Sequence, residues 1–219
     1  MRTRAAKRRR FAPPALRLLV GALGVHEPDL RDLVFQMVTM PNHLAKCAAD
    51  LPATPAPALG TFAVTIPTGT TALAHGAFGH CAGLAQVTLP ASLAEIGHHA
   101  FYGCDSLREI TLPPSLTKIG AYAFNECTSL REITLPPTLA EVRAGAFYKC
   151  TSLCEITLPP NLTEIGVAAF DGCSSLREIT LPPSLAKIGE GAFRGCTALR
   201  KIAWPVGPVD VGVNAFYDC

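Results

Sequence analysis

The chain has 219 residues, 49% of them hydrophobic, with nineteen Lys/Arg against seventeen Asp/Glu. That is material for one continuous core, and no apolar run reaches the ~18 residues of a membrane-spanning helix. The net charge of +2 hides an asymmetry: residues 1–60 carry nine basic and four acidic residues (+5), and residues 61–219 carry ten and thirteen (−3). The longer part is not basic, which argues against nucleic acid on its surfaces.

Residues 1–26 contain no acidic residue and open with Arg2, Arg4, Lys7, Arg8, Arg9 and Arg10. Three targeting readings compete with a plain solvated tail. Arg17 interrupts the apolar stretch that a secretory signal needs, the segment lacks the serines of an organellar transit peptide, and Ala6–Arg10 fits a nuclear-import patch or an anionic-surface anchor. Residues 27–50 are predicted as a helical cap. Pro28 suits a first helical position, Asp29 favours the N-terminal dipole, and Leu30, Leu33, Val34, Met37 and Val38 follow a helical period up to Pro41. A second short helix is expected over His43–Ala49. Leu30–Phe35 with Leu44–Ala49 faintly resembles the helical core of an F-box, which would imply an adaptor that recruits a second protein. Residues 51–60, with Pro52, Pro55 and Pro57, are expected to form a stiff connector.

From residue 61 onward one 23-residue unit organises everything. Its cleanest copy runs from Leu112 to Thr134. A Phe column holds Phe78, Phe101, Phe124, Phe147, Phe170, Phe193 and Phe216. A Cys column holds Cys81, Cys104, Cys127, Cys150, Cys173, Cys196 and Cys219. Six full units fill 66–203 and a seventh is partial. A fixed period of this length is the mark of a solenoid, whose coils cannot bury their apolar sides alone. Within a unit, Ile110 and Leu112 share the inner side of a strand, while Glu109 and Thr111 face solvent. Pro113 and Pro114 end the strand. Gly120 is expected at positive φ, and Ala123–Cys127 is expected as a tight helical turn. The cysteine spacing places seven thiols in parallel, which suits free thiols acting as small apolar fillers rather than disulfides. Buried free thiols favour an intracellular compartment slightly. The unfinished last coil reads as a C-terminally truncated fragment.

The pattern L-x-x-I-x-L-P-x-x-L-x-x-I-G-x-x-A-F-x-x-C resembles the BspA-like leucine-rich repeat family over 66–219. The resemblance implies a curved solenoid, with a parallel sheet on the concave face and short helical or 3-10 turns on the other side. It also implies a binding module that is not an enzyme. The end units depart from the pattern: Thr70 and Pro208 stand in the column of Leu93 to Leu185, and Trp204 replaces a Leu/Ile.

The expected binding face is the outward strand surface: Arg108, Glu109, Thr111, Arg131, Glu132, Thr134, Glu155, Thr157, Arg177, Glu178 and Thr180. Its partner is expected to be a protein, with no cofactor. Carboxylate ladders alone do not make a glycosidase, because catalysis needs two carboxyls in unlike environments and identical coils give identical ones. His75, His80, His98 and His99 lie close together, but loosely placed imidazoles on a turn are expected to be polar surface rather than a metal site. Asn161–Thr163 fits an N-glycosylation pattern, relevant only to a secreted chain.

Overall fold

The computed structural model describes residues 61–219. The predicted helical cap, its F-box-like reading and the Pro-rich connector therefore lie outside the described residues. Thirteen short strands build seven coils. The first coil holds β1 (Phe62–Thr65) and β2 (Ala72–Leu73), and the second β3 (Leu84–Thr88) and β4 (Glu95–Ile96). The third holds only β5 (Lys118–Ile119). The others follow in pairs: β6 (Glu132–Thr134) and β7 (Glu141–Val142), β8 (Glu155–Thr157) and β9 (Glu164–Ile165), β10 (Glu178–Thr180) and β11 (Lys187–Ile188), β12 (Lys201–Ala203) and β13 (Asp210–Val211). Every pairing is parallel and in 23-residue register, apart from one irregularity at the start of β1.

The core follows the predicted columns. Phe101, Phe124, Phe147, Phe170 and Phe193 are fully buried, and consecutive rings from Phe78 to Phe216 stack with centroids 5.1–5.4 Å apart. Near-parallel rings at that spacing are the offset stack that aromatic quadrupoles favour. Cys104, Cys127, Cys150, Cys173 and Cys196 are free and buried beside them. They do more than fill space. Each thiol donates to the carbonyl oxygen of the Phe in the preceding coil, as Cys127 Sγ does to Phe101 O at 3.1 Å. That carbonyl already accepts an amide from its own coil, so the thiol takes its second lone pair. Burial raises these thiols, Cys196 to about 12, and keeps them protonated as donors.

The side away from the strands corrects the expected helical turn. No helix occurs among the described residues. Instead a second ladder of two-residue strands (β2, β4, β5, β7, β9, β11, β13) leads into consecutive hydrogen-bonded turns. The turns cannot run on as a 3-10 helix because every fourth residue is left-handed. In the third coil these are Tyr122 (φ 57°) and Glu126 (φ 58°). Gly120 is not one of them. Its glycine is needed because a Cβ there would lie 2.5 Å from His98 N and 2.6 Å from Gly97 C. Gly97, Gly166, Gly189 and Gly212 occupy the same column with the same close approach of backbones.

One junction differs. Between the third and fourth coils both strand ladders stop: β5 does not pair with β7, and no strand faces β6 from the third coil. Arg143 holds the glycine column there, so the position at which the other junctions bring backbones together carries a side chain. The coils stay joined by the turn ladder, including Phe124 N to Ala146 O at 2.8 Å, and by the Phe124–Phe147 stack. Replacing Arg143 by Gly should let this ladder form. The two hydrogen bonds gained, about 1 kcal/mol each, would exceed the ~1 kcal/mol cost of a glycine, since Arg143 gives up only an exposed ion pair to Glu141. Amide hydrogen exchange at Lys118–Gly120 and Glu141–Arg143 should slow in Arg143→Gly, and unchanged exchange would assign the opening to another cause.

Candidate functional site

The outward strand residues lie on one face of the array. Glu132, Ile133 and Thr134 stand opposite Glu155, Ile156 and Thr157 in direct register, with Glu and Thr exposed and Ile buried. Arg108, Glu109, Thr111, Arg131, Arg177, Glu178 and Thr180 are exposed on the same face. The surface is not a uniform plane. The missing ladder opens a groove of about 470 Å³ at its centre, lined by Glu109–Leu112 and Pro114 of the third coil, Glu132–Pro137 of the fourth, and Glu155 and Thr157 of the fifth. No backbone hydrogen bond joins Glu109–Leu112 to either neighbouring coil. Its amides and carbonyls therefore look to water or to a ligand, as exposed backbone groups must.

Charge adds to this. Elsewhere five acidic side chains pair with a basic one in an adjacent coil: Glu95 with Lys118, Glu126 with Lys149, Glu164 with Lys187, Asp171 with Arg194, and Glu178 with Lys201. Asp105, Glu190, Asp210 and Asp218 have no ion pair among the described residues but stand apart from one another. Asp171 is buried, and Arg194 meets it at 2.5 Å. Glu109, Glu132 and Glu155 have no ion pair among the described residues and line the same groove, with Glu132 directly opposite Glu155. Cys154 adds to the imbalance, because it holds the position that is Arg in the third, fourth, sixth and seventh coils.

The family model for BspA-type leucine-rich repeat regions matches in six copies, over residues 61–177 and 94–219. The chain belongs to the BspA-type leucine-rich repeat family. Protein binding is the typical role of this family. A crystal structure of the T. pallidum leucine-rich repeat protein TpLRR is 36% identical, with a TM-score of 0.70, covering 73% of this chain and 77% of that one. A leucine-rich repeat protein from Eubacterium ventriosum is 26% identical, with a TM-score of 0.66; the match covers 71% of this chain and 42% of that one. No curated protein matches the sequence. The family match begins at residue 61 and lends nothing to the adaptor reading of the N-terminal residues.

On the turn side of this BspA-type array the imidazoles do gather. His99 lies 5.4 Å from His75 and stacks on Tyr122 at 5.2 Å, while His80 meets Tyr102 edge-on at 4.5 Å. Among the described residues no group of three or more His, Cys, Asp or Glu is placed to hold a metal ion. Sequence reasoning missed the packing behind this edge. His99 and Tyr122 are left-handed where other coils have Gly76, Gly145 and Gly191, and the Tyr122 ring fills the space above Gly145. The signal was present as two bulky residues in a glycine-rich column. Burial, then the charges of His75 and His98, lower the pKa of His99 below its usual 6.5. The folded chain thus binds fewer protons there than the unfolded chain, so stability falls as pH drops through about 6.5. The melting midpoint should drop more between about pH 8 and pH 5 in the parent than in His99→Asn, which tolerates the left-handed backbone. Parallel pH profiles would show that His99 contributes nothing to the acid response.

Asn161 is exposed on its turn, with Nδ2 at 3.4 Å from Pro137 O. No helix of the described residues is long and apolar enough to cross a membrane.

Proposed function

We propose that this protein is a non-enzymatic binding module that captures a protein partner on its strand face, centred on the groove between the third and fourth coils. The observation that carries this reading is the coincidence, in one place, of an open groove, backbone groups without ladder partners, and three carboxylates without counter-ions among the described residues. A partner chain can satisfy all three at once, with backbone bonds giving affinity and side chains giving selectivity. The coils supply repeated environments rather than the paired unlike ones that acid–base chemistry requires.

The test uses the full chain as bait, beside Glu132→Ala/Thr134→Ala and Tyr122→Ala. Both strand-face residues are exposed, so the double change should shift the melt by no more than about 0.5 kcal/mol per site. It should lose the captured protein, and Tyr122→Ala should keep it. The opposite pattern would move the site to the turn edge.

A further inference from the structure

The groove lacks basic partners among the described residues, and the same chain carries a surplus of them. We propose that the basic N-terminal arm, Arg2 to Arg10, docks in the groove of its own array and competes there with the protein partner; this rests on the strand face being the binding surface.

Charge complementarity is the first argument. The described array is net −3 and the first 60 residues net +5, with six of the nine basic residues of that segment in the first ten positions and no acidic residue before Glu27. The arm therefore has no local counter-charge. The groove presents Glu109, Glu132 and Glu155 in successive coils, and Glu132 and Glu155, which stand directly opposite each other, repel at the ~4.8 Å spacing of neighbouring strands. Bringing guanidinium groups between them removes that repulsion and adds fork-shaped donors that match carboxylates.

Geometry is the second. Alternate side chains of any extended chain recur every ~6.7 Å on one side, so two basic residues at alternate positions can straddle the ~4.8 Å between Glu132 and Glu155. The same extended backbone offers hydrogen bonds to Glu109–Leu112, which no neighbouring coil supplies. Reach is the third. Fifty residues separate Arg10 from Thr61, and the groove begins two coils beyond the first. Even at the ~1.5 Å per residue of a helix, that length exceeds the ~10 Å of two coils several-fold. Tethering raises the local concentration of the arm to the order of millimolar, so weak surface ion pairs suffice to hold it.

The probe is a fluorescent peptide of residues 1–12, titrated by anisotropy into the intact parent, into R8E/R9E/R10E, and into R8E/R9E/R10E combined with E109Q/E132Q/E155Q. The arm-reversed protein should bind the peptide about tenfold more tightly than the parent, whose groove is already filled. Adding the three glutamines should abolish binding, as should about 1 M salt, where the Debye length is ~3 Å. Equal binding by the parent and the arm-reversed protein would overturn docking in cis. Binding indifferent to the glutamines would place the arm elsewhere and overturn the proposal too. If partner capture still depends on Glu132 and Thr134 while the peptide fails to bind, the strand face stands as the binding surface and the arm proposal falls alone.

Discussion

Phe124→Ala should lower the stability of the array by about 3–5 kcal/mol, the range for truncating a buried aromatic. The ring is fully buried, with Phe101 stacked 5.2 Å away on one side and Phe147 5.4 Å away on the other. The surrounding backbone cannot close the space, because Phe124 N is tied to Ala146 O at 2.8 Å and Phe124 O accepts Cys150 Sγ at 3.0 Å. Position adds to the cost. Phe124 and Phe147 bridge the one junction where both strand ladders are absent, so the aromatic contact carries more of the coupling there than elsewhere. Stability in a solenoid passes only between neighbouring coils. Urea unfolding of the variant should therefore separate the first three coils from the last four, giving a broadened or two-step transition. A variant as stable and as cooperative as the parent would refute the coil register.

Gly120→Ala should cost about 1–3 kcal/mol, the range for forcing extra volume into a packed interior. The added methyl would meet backbone atoms of Gly97 and His98, not a flexible side chain that could turn away. That methyl would push the second and third coils apart and break hydrogen bonds such as Gly120 N to Ile96 O at 2.8 Å. Arg143 shows the outcome within the native chain: where this column carries a Cβ, the ladder is open. Increased amide exchange at positions 119 and 120, with a lower melting midpoint, is the expected result. An unchanged melt would show that the junction yields without loss.

The register was legible because identical residues recur at identical places. Phe and Cys columns can only mean stacked coils, and the outward Glu and Thr follow from strand alternation around Ile133 and Ile156. What escaped the sequence is whatever depends on contact between coils. Lys118–Ile119 is too short a strand to show any alternation, so the second ladder left no periodic trace. The glycine at position 120 looked like a turn residue, but its function is clearance from the coil before it. The left-handed positions were hidden because Tyr122, Glu126 and His99 occupy them in place of glycine. The seam was visible only as one Arg in a Gly column. That this opens a groove, next to carboxylates without partners among the described residues, needs the coordinates of both coils.

The central functional claim is that the partner sits on the strand face. Site-specific photo-cross-linking tests it directly, with a benzophenone amino acid placed at Thr134 in one protein and at Val167, on the turn side of the fifth coil, in another. Both positions are exposed, and neither is a member of the Phe or Cys column. A covalent adduct with the captured protein from position 134, and none from position 167, is the result expected of a strand-face site. An adduct from position 167 alone would contradict it.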